Sequence, residues 1–262
     1  MAAAGFDLVE AVQDRPTAPA VDHSIAILQL LVHAPYPLTQ NEISSHTGIP
    51  AASCYRILGS LLESQMVSLD PGRKRAYCIG SKIFQMASAI YSRQSILPYF
   101  HPIAEILKNE IHQTVLLSIP VGNKVVVLGC LESYLGKGYP VHVGQTLAMH
   151  RAAAGKAILS LRATPYLDSY LQAERQLGLL ADEDIGALRE QLERARRLGY
   201  AVTRGEIDSR TCCLAAPVAD LRGEPVAAVS ICIGAESLSD AQIRAYSGPL
   251  IQAARQLAAR IA

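Results

Sequence analysis

The sequence is short of apolar runs long enough for a membrane. Its longest apolar runs, such as residues 25–32 and 125–128, fall well below the roughly 20 residues that a spanning helix needs. The first twenty residues also lack the basic cluster and apolar block of a secretory leader, and they carry Asp7, Glu10 and Asp14 instead; the expectation is a cytoplasmic protein. Paired CxxC spacing is missing as well. The six cysteines, Cys54, Cys78, Cys130, Cys212, Cys213 and Cys232, are scattered through apolar surroundings. In a reducing compartment this predicts free thiols, with neither a disulfide framework nor a zinc site. Adjacent Cys212 and Cys213 would point to opposite faces of a strand and so cannot share a metal. His142 and His150 lie eight apart with no third ligand in view.

Signatures of catalysis are equally scarce. No GxSxG nucleophile elbow occurs. The segment HRAAAGKAIL invites a phosphate-loop reading, but Gly144 lies too far upstream of Gly155 and Lys156, and Ala157 stands where Ser or Thr should hold magnesium. What survives is a helix start whose N–H groups at Ala153 and Ala154 suit a small anionic or polar ligand. No cofactor, no metal and no enzymatic activity are expected.

Net charge is only +1 over 262 residues, which looks unpromising for a nucleic-acid partner until location is considered. Between residues 51 and 97 six basic side chains (Arg56, Arg73, Lys74, Arg75, Lys82, Arg93) face two acids, Glu63 and Asp70. The same stretch has a recognisable local architecture. From Val21, the stripe Ile25, Leu28, Leu31, Val32 predicts an amphipathic helix stopped by Pro35 and Pro37. Thr39 followed by Glu42 has the form of a capping box opening a helix over 40–47. Gly48 ends that helix and Pro50 opens the next, over 51–65. Cys54, Ile57, Leu58, Leu61 and Leu62 form the inward stripe of this third helix, which leaves Ala51, Ala52, Ser53, Tyr55, Arg56 and Ser60 outward. Two short strands around a Pro-Gly turn follow, with Arg73, Lys74 and Arg75 at the hairpin tip. Three helices and a basic hairpin predict a winged helix-turn-helix.

In such a motif the second helix enters the major groove with its N-terminal residues near base edges. Arg56 is the leading candidate, because its fork can donate two bonds to guanine or bind a phosphate. Ser53 and Tyr55 can reach phosphates or bases, and Ala51 and Ala52 a thymine methyl. Arg73, Lys74 and Arg75 suit phosphates or the minor groove. Thr39 and Gln40, at the start of the preceding helix, complete the expected contacts with double-stranded DNA.

Residues 1–20 read as a mobile tail, 21–80 as the DNA-binding domain, 81–97 as a linker helix and 98–262 as a second domain. Within the last, helices are expected at 99–112, 153–161, 164–172, 182–198 and 239–261. Strands are expected at 113–120, 124–132, 136–143, 200–206, 212–219 and 225–233. The class is α+β or α/β with a mostly antiparallel sheet.

Three separated blocks, beginning LTQNEISSHTGIP, VHVGQTLAMHRAAAGKAILS and LGYAVTRGEIDSRTCCLAAPVADL, resemble the isocitrate-lyase-regulator (IclR) family of bacterial transcription regulators over roughly residues 21–262. The resemblance implies an α+β chain with an N-terminal winged helix-turn-helix, a linker helix and a GAF-like C-terminal effector-binding domain. It also implies homodimers or homotetramers that bind operator DNA as repressors, activators or both under control of a small-molecule effector; for this chain repression, and an organic acid or aromatic catabolite as effector, are expected. Carried over by resemblance, the pocket comprises Tyr139, Leu147, Ala153, Ala154, Thr203, Cys213, Ser230 and Cys232. The chain departs from the family at Ala51, where a polar residue often opens the recognition helix, and at Thr203, where some relatives carry an acid. Arg151 stands where relatives have a small residue and offers itself to an acidic effector. Two other readings stay open on the residues alone: a small-molecule enzyme with an appended helical domain, and a protein-interaction module with a basic hairpin.

Overall fold

The computed structural model describes residues 18–91, 96–133, 141–234 and 238–261. The chain divides into two compact units, Met1–Gln94 and Ser95–Ala262. The first opens with α1 (Pro19–His33), with Pro near its N-terminus, where a missing N–H costs nothing. The spacing predicts Ile25, Leu28, Leu31 and Val32 as the inward stripe; the structure buries Leu31 and packs Leu28 against the core, but it buries Ile27 in place of Ile25 and Val32, which are exposed. The helix is apolar on two overlapping stripes, and periodicity cannot choose between them. Packing beside Ile43 and Leu58 chose the Ile27 side.

Next come β1 (Leu38–Thr39), α2 (Gln40–Thr47), α3 (Ala51–Glu63), β2 (Val67–Leu69), β3 (Ala76–Ile79) and α4 (Ser81–Tyr91). The capping box forms: Thr39 accepts from the Glu42 backbone, and Glu42 accepts from the Thr39 backbone. Gly48 then closes α2 in the left-handed region at φ 70°, a conformation open to glycine at little cost. Pro50 is the N-cap residue of α3 rather than its first helical residue. On α3, Cys54, Leu58 and Leu61 are buried whereas Leu62 is exposed. The hairpin gains a third strand that the sequence did not announce: β1, only two residues long, pairs with β3, giving the order β1-β3-β2.

The second unit contains α5 (Leu97–Ile111), β4 (Thr114–Val121), β5 (Lys124–Leu131), β6 (Thr146–Ala148), α6 (Ala153–Leu161), α7 (Thr164–Gln176), α8 (Asp182–Leu198), β7 (Ala201–Arg204), β8 (Thr211–Ala219), β9 (Pro225–Gly234) and α9 (Asp240–Ile261). One six-stranded sheet in the order β6-β5-β4-β9-β8-β7 runs antiparallel throughout. The strand expected at 136–143 falls mainly outside the described residues; 141–143 carry no strand, and the edge strand lies at β6.

Both sheet faces are covered, so the central strands read as near-continuous apolar runs. One face packs Leu117, Leu214 and Ile231 against Phe100 and Leu107 of α5 and Leu250 and Leu257 of α9. On the other, Ala215 and Ala228 meet Ala154, Ala157 and Ile158 of α6, with α7 and α8 outside. Alanines on both sides of that contact bring α6 close to the sheet. No described helix is long and apolar enough to cross a membrane.

Candidate DNA-recognition surface and ligand cavity

Helices α2 and α3 are fastened by side chains that reach the connecting backbone. Gln40 Nε2 donates to the Ala51 carbonyl at 3.0 Å, and Ser44 Oγ to the Ile49 carbonyl at 2.6 Å. Gln40 therefore sets the start of α3. Beyond this brace, Ala51, Ala52, Tyr55 and Arg56 are exposed and Ser53 partly so, with Tyr55 63% exposed. Among the described residues the Arg56 side chain has neither hydrogen bond nor ion pair. An unpaired guanidinium beside a phenol is suited to bases and phosphates.

At the wing the basic triplet splits. Asp70 Oδ2 accepts from the backbone N–H of Gly72 and Arg73 and shapes the turn. Arg73 folds back: it donates to the Pro37 carbonyl at 2.5 Å, pairs with Glu42 at 2.8 Å and lies over the Tyr36 ring at 5.4 Å. Of the three cations expected at the DNA, Arg73 is the one with partners inside the protein, where it fastens the wing to α2. Lys74 and Arg75 remain exposed, without an ion pair among the described residues. Thr39 is likewise occupied, its hydroxyl donating to Glu42 at 2.8 Å. The Thr39 backbone N–H, the Arg73 guanidinium and the Thr39 hydroxyl together hold the Glu42 carboxyl at about 2, against an ordinary 4.5. Tyr36 and Glu42 were missed as parts of this assembly; Glu42 had a visible signal as a cap, whereas nothing local marks Tyr36.

In the second unit a cavity of about 40 Å³ opens between the sheet and the start of α6. Leu147, Ala153, Ala154, Thr203, Cys213, Ser230 and Cys232 line it together, although they come from four separate elements and the start of α6. Tyr139 lies outside the described residues. Ser118, Glu206, Asp208 and Thr211 also line the cavity and were not foreseen. Ser118 and Ser230 are buried beside the register shift on β4, where a bulge re-aims the strand. Helix α6 starts after Ala152 with no side-chain cap, so its first N–H groups and positive dipole end are available at the wall of the cavity.

The 205–211 connection forms the opposite rim, and two cations hold it. Lys156, 3% exposed, donates to Glu206 Oε2 at 2.5 Å and to Gln191 Oε1 at 2.7 Å. Arg151, exposed, donates to the Glu206 carbonyl and is not among the lining residues. Arg151, expected to face the effector, here braces the rim. Asp208 is engaged by Arg210, whose hydrogen bonds lower its carboxyl to about 2. Each rim carboxylate is thus neutralised by a cation, and the cavity wall keeps the helix start as its uncompensated positive feature. His150, buried nearby, has Nδ1 2.8 Å from the Tyr170 hydroxyl and 3.5 Å from Glu174; burial pushes its pKa down. No cluster of metal-binding side chains exists among the described residues.

Comparison with known proteins places both halves. A family model for the IclR helix-turn-helix domain matches residues 20–71, and one for the bacterial transcriptional regulator IclR C-terminal domain matches 88–259. The chain is 30% identical over 216 residues to the HTH-type transcriptional repressor AllR of Escherichia coli K12, covering 82% of this chain and 79% of the relative. It is 29% identical over 241 residues to the HTH-type transcriptional regulator BhcR of Paracoccus denitrificans, covering 91% and 85%. The crystal structure of the Thermotoga maritima IclR shares the fold at a TM-score of 0.74 and 23% identity, covering 93% of this chain and 98% of that one. An IclR homologue from Microbacterium hydrocarbonoxydans complexed with 4-hydroxybenzoate superposes at 0.73 with 17% identity, covering 92% and 98%.

Proposed function

Because the chain belongs to the IclR family of bacterial transcriptional regulators, we propose that it represses its target genes by placing α3 in the major groove of operator DNA until a small effector occupies the cavity beside α6. It is a regulator rather than an enzyme. The observation that carries the DNA half is the unpaired, exposed Arg56 on a helix whose start is fixed by Gln40. Ser53, Tyr55, Lys74 and Arg75 act with it; Ala51 and Ala52 give methyl contact; Gln40, Thr39 and Arg73 hold the module in shape. The repressor assignment follows the Escherichia coli relative, which is named as one.

The effector is a small carboxylic acid. A cavity of about 40 Å³ has room for roughly three water-sized atoms, at about 10–15 Å³ each, so an aromatic ring enters only if the 205–211 rim swings out. The α6 N–H groups and the hydroxyls of Thr203 and Ser230 receive the carboxylate, and apolar walls at Leu116, Val127 and Leu147 take the rest. The working assembly is a homodimer or homotetramer in the cytoplasm, supported by apolar surface at Val21, Ile25 and Val32 on α1 and at Phe84 and Met86 on α4.

The test is fluorescence anisotropy with the DNA upstream of the protein's own gene. Arg56→Ala is expected to lose about 10- to 100-fold in affinity, the loss of a bidentate base contact at roughly 1–3 kcal/mol, with no change in melting temperature. Wild-type affinity in that variant, or binding indifferent to salt and sequence, contradicts the reading.

A further inference from the structure

Two of the six cysteines are placed against each other in a way that ligand recognition does not require. Cys213 on β8 and Cys232 on β9 are direct partners in the antiparallel ladder, their sulfurs are 3.1 Å apart, and both line the cavity. Directly opposed residues in such a ladder have Cα atoms roughly 4.5–5.5 Å apart, inside the window of about 4.4–6.8 Å that a disulfide spans. A bond of about 2.05 Å therefore needs the sulfurs to close by about 1 Å through side-chain rotation, without moving a strand. The environments differ: Cys232 is 1% exposed and its thiol is pushed well up by the Cys213 contact and by burial, whereas Cys213 is partly exposed. Cys212 lies on the opposite face of β8, Cys54 and Cys78 belong to the other unit, and Cys130 packs at the edge of the same cluster.

We propose that Cys213 and Cys232 are a redox-active dithiol that a small hydroperoxide, entering the cavity, converts to a cross-strand disulfide. Cys213 reacts first, because it is partly exposed whereas Cys232 is fully buried. It attacks one peroxide oxygen, the O–O bond breaks, and the products are a sulfenic acid on Cys213 and one water. The Cys232 sulfur then attacks the sulfenic sulfur, the S–O bond breaks and a second water leaves. In sum two thiols and one hydrogen peroxide give one disulfide and two waters. The cavity selects the oxidant by size: two oxygen atoms fit about 40 Å³, and a bulky disulfide such as oxidised glutathione does not. N–H groups at the start of α6 are placed to meet charge on the departing oxygen. Oxidation removes both S–H groups from the cavity wall, so effector binding weakens; this last consequence alone rests on the cavity being the effector site.

The test uses the full-length protein, reduced, freed of reductant and exposed to stoichiometric hydrogen peroxide, then alkylated and mapped by peptide mass spectrometry. The expected result is loss of two alkylatable thiols and a fragment joining Cys213 to Cys232, with Cys54 and Cys78 still alkylated and no such loss with oxidised glutathione. In Cys232→Ser the reaction should stop at a Cys213 sulfenic acid that dimedone traps; Cys213→Ser should abolish it; Cys212→Ser should leave it intact. A wild-type pair that stays reduced, or a bond to Cys130 or Cys212 instead, overturns the proposal. Mapping needs neither DNA nor effector. A bond that forms while stabilisation by small acids is unchanged therefore supports the dithiol and counts against the cavity as effector site.

Discussion

Replacing Gly155 by Ala puts a single methyl group where the backbone of Met149 already stands. A Cβ at Gly155 would lie 2.7 Å from the Met149 carbonyl carbon and overlap its Cα and oxygen. In an open helix the same change stabilises by up to about 1 kcal/mol through propensity. Here it must move backbone, which cannot rotate aside as a flexible side chain can, so overpacking sits toward the upper part of its range of about 1–3 kcal/mol. The net expectation is a loss of about 2 kcal/mol, or roughly 4–8 °C in melting temperature for a unit of this size. Scanning fluorimetry reads this directly. The paired control is Gly186→Ala on α8, where the added Cβ meets nothing within 4 Å; it should hold or raise the melting temperature. Because α6 carries the wall at Ala153 and Ala154, Gly155→Ala should also blunt stabilisation by small acids. A Gly155→Ala protein as stable as wild type would refute the close approach of α6 to the 149–152 turn.

Other expectations concern charge. Glu42, held at about 2 in the fold against an ordinary 4.5, contributes stability to the DNA-binding unit that is complete above pH 4.5 and fades as pH falls through 2; Glu42→Gln should flatten that part of an acid-unfolding curve. His150, whose pKa burial lowers with Tyr170, Glu174, Arg151 and Lys156 around it, is favoured neutral, so the second unit should lose stability as pH falls below about 6.5. In His150→Gln the slope there should shrink. Lys156→Met strands the Glu206 carboxylate, but that group keeps a third of its exposure and can hydrate. The cost should therefore fall below the roughly 3–5 kcal/mol of a fully buried broken pair, and limited proteolysis should cut faster at 205–211. Unchanged cleavage would remove the rim from Lys156's control.

Local chemistry made much of this legible without coordinates. Thr39 and Glu42 sit three apart, the spacing at which a hydroxyl and a carboxylate satisfy each other's backbone, so α2 could be placed to the residue. Helices α6 and α8 fall where the spacing predicts, because apolar period and helix-stop residues are written in contiguous sequence. Gly155 and Lys156 show the limit. Their phosphate-loop look could be rejected on spacing, but the reasons for them, contact with Met149 and a pair with Glu206, join residues up to 50 positions apart.

The sequence by itself determined the helix-turn-helix, the basic wing, the antiparallel sheet and the family, since each rests on periodicity, caps, turns or an ordered set of motifs. Only the tertiary structure decided which stripe of α1 is buried, that Arg73 turns inward to Glu42, that Arg151 braces a rim, and that Cys213 faces Cys232. Those outcomes depend on which distant backbone becomes a neighbour. That choice is made by burying the whole apolar surface at once, and no window of adjacent residues records it.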